Sequence, residues 1–70
     1  MAQVKKNVND IFCDEEKRNQ IEIDNLHKFF KSKNPIPSPV INKENEVIAF
    51  HNSFFLLKEL GFEDLLFVEK

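Results

Sequence analysis

The stretch Glu46-Val47-Ile48-Ala49-Phe50-His51-Asn52-Ser53-Phe54-Phe55-Leu56-Leu57-Lys58-Glu59-Leu60-Gly61 decides the fold. Its first part is β-branched and short, as a strand requires. Asn52 or Ser53 then offers a side-chain oxygen to cap a helix running to about Leu60, with Lys58 in the last turn and Gly61 just beyond the end. The apolar positions Phe54, Phe55, Leu56, Leu57 and Leu60 wrap much of that helix, so it is either sandwiched in the core or exposes a contact face.

Upstream, Val40-Ile41 and the polar stretch Asn42-Lys43-Glu44-Asn45 complete a hairpin with Glu46–Phe50, and Asn45 tolerates the left-handed backbone such turns need. Before it, Pro35, Pro37 and Pro39 push their predecessors into extended geometry and predict a stiff connector. Ile21 and Ile23 alternate with Glu22 and Asp24, the pattern of a short half-buried strand. Asp24 or Asn25 then caps a short helix carrying Leu26, Phe29 and Phe30, stopped at Asn34-Pro35. Downstream, Leu65 to Val68 is the last strand. Val4, Val8, Ile11 and Phe12 recur at helical spacing, which predicts a helix over 4–18. The expected organisation is a helical or flexible appendage at 1–19, followed by a small α+β domain over 20–70. That domain has a mixed sheet of about four short strands and two or three helices.

At 70 residues the chain holds one small domain. A hydrophobic fraction of 41% excludes a disordered acidic tail, and a net charge of −2 excludes a polybasic arm. Neither usual staple of a tiny domain is present, because one cysteine makes no internal disulfide and no Cys/His cluster has zinc spacing. Burial by the eight phenylalanines must therefore carry the fold, supplemented by a homodimer or a partner. No apolar run follows Lys5 and Lys6, and the longest apolar stretches are four residues, Phe54–Leu57 and Leu65–Val68. With a free Cys13 this reads as a cytoplasmic chain without membrane attachment. Acidic neighbours Asp14 and Glu15 argue that Cys13 is an inert, half-buried thiol.

The order of elements resembles the core of the ParB/sulfiredoxin-like N-terminal domain. Ile21-Glu22-Ile23-Asp24-Asn25-Leu26 resembles that family's opening pattern, and Ile36-Pro37-Ser38-Pro39-Val40-Ile41-Asn42 resembles its proline-led strand. Glu46–Gly61 followed by Leu65–Val68 resembles its strand, phosphate loop, helix and strand. The resemblance implies a glycine that lets backbone approach phosphate and an arginine beside the helix N-terminus. This chain has Phe50 at the glycine's place and His51, Asn52 and Ser53 after it, with neither arginine nor the sulfiredoxin cysteine. Neither family activity carries over.

Nothing else in the chain supplies chemistry. His27 and His51 lie far apart with no acidic partners at ligand spacing, so no metal or cofactor is expected. His51 as base with Ser53 as nucleophile lacks an orienting carboxylate and an oxyanion hole. The chain reads as a non-enzymatic protein-interaction module with the contact surface at Phe50, His51, Asn52, Ser53 and Phe55, meeting a partner with a basic surface. Its small size and Lys-, Asn-, Ile-, Phe- and Glu-rich composition suit a phage or mobile-element inhibitor of a host or defence protein. The alternative is a nucleic-acid- or nucleotide-binding ParB-like protein using Lys28, Lys31 and Lys33, with Phe29 and Phe30 interleaved.

Overall fold

Six consecutive residue pairs, from Ala2↔Glu69 to Asn7↔Asp64, join the first and last strands of the chain antiparallel. The computed structural model describes residues 2–70. Its strands are β1 (Ala2–Asn7), β2 (Val40–Ile41), β3 (Val47–Ala49) and β4 (Asp64–Glu69), and its helices are α1 (Gln20–Lys31) and α2 (His51–Glu59). Single 3-10 turns lie at Val8–Asp10 and Glu15–Lys17. The sheet order is β1-β4-β2-β3, with β4 parallel to β2 and antiparallel to β1. This is the mixed four-stranded α+β architecture expected from the sequence.

The hairpin forms where its residues predict. β2 pairs antiparallel with β3, and Asn45 takes φ 61° in the turn. Asn42 organises the loop: its Oδ1 accepts from the Glu44 and Glu46 amides, each at 3.0 Å. β4 alternates as a half-buried strand should, with Leu65 and Phe67 buried and Leu66 exposed. Phe67 packs against Phe54 of α2 with ring centroids 6.0 Å apart. Around that contact gather Ile23 of α1, Ile41, Val47, Leu56, Val8 and Ile11, the core of the molecule.

Two expectations are corrected. The helix over 4–18 is absent, and residues 2–19 are built into the domain instead of being appended to it. Val4 faces Phe67 across β1 and β4, while Val8 and Ile11 enter the core from the first 3-10 turn and its exit. Asn7 and Asp14 break any continuous helix by taking the Asn9 and Glu16 amides at 2.9 and 3.0 Å. The strand at Ile21–Ile23 is likewise part of a helix, because Asn19 Oδ1 caps α1 by accepting from the Glu22 amide at 3.1 Å. Within α1 the buried stripe is Ile23 and half-buried Leu26, spaced by one helical turn, and Ile21 points to solvent.

Both helices end in the same way. In α1 the Asn34 amide donates to the Phe29 carbonyl at 3.0 Å and the Lys33 amide to Phe30 at 3.1 Å. In α2 the Phe62 amide donates to Leu57 at 3.2 Å and the Gly61 amide to Lys58 at 3.1 Å. These are Schellman motifs, which require a left-handed residue after the cap. Gly61 fills that place in α2 at φ 91°, and Lys33 fills it in α1 at φ 63°.

Candidate functional site

The N-terminus of α2 departs from the sequence expectation in its first residue. The helix begins at His51, and its N-cap position is held by Phe50 at φ 58°, ψ 45°, with no side-chain cap. A left-handed phenylalanine is an outlier, since Cβ crowds the following carbonyl at a cost of roughly 1–2 kcal/mol. Glycine would adopt the same backbone without that cost. The Ser53 amide closes the turn by donating to the Phe50 carbonyl at 3.2 Å. The Phe50 side chain is 53% exposed, so the core does not hold it there.

His51 beside it is half-buried, and the next residues turn inward. Asn52 and Ser53 are buried, and neither caps α2. Asn52 ties the two helices together: its Oδ1 accepts from the Asn19 amide at 2.8 Å, and its Nδ2 donates to Glu22 Oε2 at 3.1 Å. Phe55 is also buried, edge-on to Phe54 at 6.2 Å, with the Arg18 guanidinium 5.4 Å from its ring centroid. Arg18 also pairs with Glu59. Of the five residues expected to form a contact surface, Phe50 and His51 reach solvent. Asn52, Ser53 and Phe55 are corrected to structural residues beneath it, because α2 is wedged between α1 and the sheet.

A second cluster lies at the other end of α1. Lys28 and Lys31 stand one turn apart, and the left-handed Lys33 follows the helix end. Phe29 is 56% exposed on the far side of Lys28 from Lys31, whereas Phe30 turns to meet Phe62 edge-on at 6.2 Å. The basic-aromatic run noted in the sequence is thus split around the helix: Lys28 lies beside Phe29, and Lys31 lies with Asp24 and His27.

Cys13 is half-buried, and its thiol is pushed up to about 11 by burial first and then by Glu15 and Asp14. Among the described residues no group of three or more His, Cys, Asp or Glu side chains could hold a metal ion. No helix among them is long and apolar enough to cross a membrane.

No family model matches the sequence, and no curated protein matches it significantly. Solved structures do match in shape. The C2221 crystal form of a pNOB8-like ParB-N domain aligns with TM-score 0.75 and 16% identity, over 97% of this chain and 29% of that one. A second structure of the pNOB8-like ParB N-domain aligns with TM-score 0.70 and 15% identity, over 99% of this chain and 28% of that one. The chain has the fold of a ParB N-domain. It spans less than a third of either matched chain, and at such identity the likeness is one of fold. Within that ParB-N fold, the left-handed backbone of Phe50 stands at the place where the sequence resemblance implies a glycine.

Proposed function

We propose that this chain is a non-catalytic binding module on a ParB-N fold, working by stoichiometric contact with another protein through Phe50 and His51. The observation that supports this reading is Phe50 itself. A bulky residue is kept in a strained conformation with its ring half in solvent, where glycine would remove the strain at little loss of core. Exposed aromatics anchor protein interfaces, and a ring fixed on a helix start needs little further ordering on binding. The finer form of the proposal is a phage or mobile-element inhibitor whose acidic surface, at net charge −2, meets a basic patch on a host or defence protein.

The test is affinity capture from nuclease-treated lysate of the native cell, using wild type, Phe50→Gly and His51→Ala, each checked for folding by circular dichroism. A protein retained stoichiometrically by wild type and lost with Phe50→Gly supports the reading. Identical captures by wild type and Phe50→Gly refute it.

A further inference from the structure

We infer that the outer edge of β1 is a docking site for an extended acidic segment of another protein, which joins the sheet as an added antiparallel strand. The site stands apart from Phe50, which follows β3 at the opposite edge of the sheet. On β4 the Val68 and Lys70 amides donate to the Pro39 and Ile41 carbonyls, each at 3.0 Å, so the even-numbered residues turn their backbone groups towards β2. The odd-numbered residues therefore face β1, and the Val8 amide continues that ladder by donating to the Glu63 carbonyl at 2.8 Å. With Val4 opposite Phe67 and Lys6 opposite Leu65, the even-numbered residues of β1 bond to β4. Gln3, Lys5 and Asn7 are left with N–H and C=O groups directed out of the sheet.

The two edges of the sheet differ. At β3 the chain covers its own edge, since the Phe12 amide donates to the Asn45 carbonyl and the Val47 amide to the Phe12 carbonyl, both at 2.9 Å. Among the described residues β1 pairs with β4 alone. Lysines on an edge strand have an ordinary explanation, since they discourage other chains from pairing there. Lys6 does not serve in that way, because its Nζ reaches back to Asn45 Oδ1 at 2.6 Å and Glu69 Oε2 at 3.9 Å. Lys5 is exposed and, among the described residues, forms no ion pair. A single free cation repels a basic strand and attracts an acidic one. Val4, on the other face, packs half-buried against the core, so an apolar residue set beside it extends that core. The occupant selected by this edge thus alternates, acidic beside Lys5 and apolar beside Val4. A second copy fits poorly, because its own β1 brings another Lys5 and Lys6 and no acid to meet them.

The probe is the peptide acetyl-Glu-Val-Glu-Val-Glu-amide, added to the isotope-labelled full chain and read by amide hydrogen exchange. With peptide at ten times its Kd, exchange at the Gln3 and Lys5 amides is expected to slow about 10-fold. In the antiparallel register the peptide's Glu amides face β1 and its Val amides face away. N-methylation of the central Glu is therefore expected to abolish the protection, and N-methylation of the Val residues to leave it. Lys5→Pro removes the central outward N–H without removing a bond to β4, and is expected to abolish binding while circular dichroism shows the fold kept. Lys5→Glu retains the backbone and is expected to weaken binding about 2- to 30-fold by turning one cross-strand attraction into repulsion. The inference is overturned by no slowing with peptide up to about 1 mM. It is equally overturned if the peptide N-methylated at its central Glu protects as well as the parent, or if a peptide with Lys in place of Glu binds as tightly. A dimer of the chain alone in sedimentation velocity, lost in Lys5→Pro, gives the edge to a second copy and also overturns it.

Discussion

Replacing Phe50 by alanine and, separately, by glycine measures the strain at the start of α2. Both variants lose the same ring, so the contacts made by its buried half cancel in the comparison. What remains is one methyl group on a backbone at φ 58°. Holding a Cβ there costs roughly 1–2 kcal/mol. Glycine gives back about 0.4–1 kcal/mol through the greater freedom of its unfolded chain. The difference leaves Phe50→Gly more stable than Phe50→Ala by about 0.5–1 kcal/mol. In a domain of this size that is about 3–6 °C in melting temperature. Urea unfolding followed by circular dichroism resolves it, because a slope near 1 kcal/mol/M converts the same gap into a midpoint shift of about 0.5–1 M. At an ordinary helical or extended position the sign reverses, and glycine is the weaker variant by about 0.5–1 kcal/mol. A Phe50→Gly protein less stable than Phe50→Ala would refute the left-handed assignment and the argument built on it.

The two Schellman ends give a matched pair. Lys33→Gly is expected to raise stability by about 0.5–1 kcal/mol, and Gly61→Ala, whose new methyl meets nothing within 4 Å, to lower it by about 0.5–1 kcal/mol, backbone strain less the reduced freedom of the unfolded chain. Asn52→Ala removes the buried tie between α2 and the start of α1 and leaves the Asn19 amide unpaired, so urea unfolding should register a loss of about 2–3 kcal/mol. Cys13, with its thiol raised from 9.0 to about 11, should react with iodoacetamide far more slowly than free cysteine at pH 8 and accelerate as pH approaches 11. The raised thiol also contributes stability that is whole below pH 9 and is lost as pH rises from 9 towards 11, because the unfolded chain releases its proton first. Cys13→Ser should remove that alkaline decline.

Elements whose signals are local were legible in the sequence. The Asn42–Asn45 turn, the β2–β3 hairpin, Gly61 as the stop of α2 and the last strand all follow from residues within a few positions of one another. The failures share a different origin. Ile21-Glu22-Ile23 is too short to separate period 2 from period 3.6, and what decides for helix is the Asn19 cap with Ile23 facing the core. β1 has little strand character of its own in Ala2-Gln3-Val4-Lys5-Lys6-Asn7, and its conformation comes from a partner at the other end of the chain. The site was half legible for the same reason. Phe50 and His51 reach solvent, as the expected contact surface requires, but burial of Asn52, Ser53 and Phe55 depends on α1 packing across α2. Asn52 has the chemistry of a cap, and it supports the beginning of a helix thirty-three residues earlier than itself, an assignment only tertiary structure makes.

Because β4 lies inside the sheet, with β1 on one side and β2 on the other, the strand made last is the one that unites the others. During synthesis β1 emerges before β4 and has no sheet neighbour until β4 has followed it. The β2–β3 hairpin and the two helices can form early, but they have no sheet to close against. The four-stranded sheet can therefore close around Phe67 only once β4 has left the ribosome. A nascent chain arrested before Leu65 should be digested readily by protease, and one arrested with β4 fully outside the exit tunnel should resist.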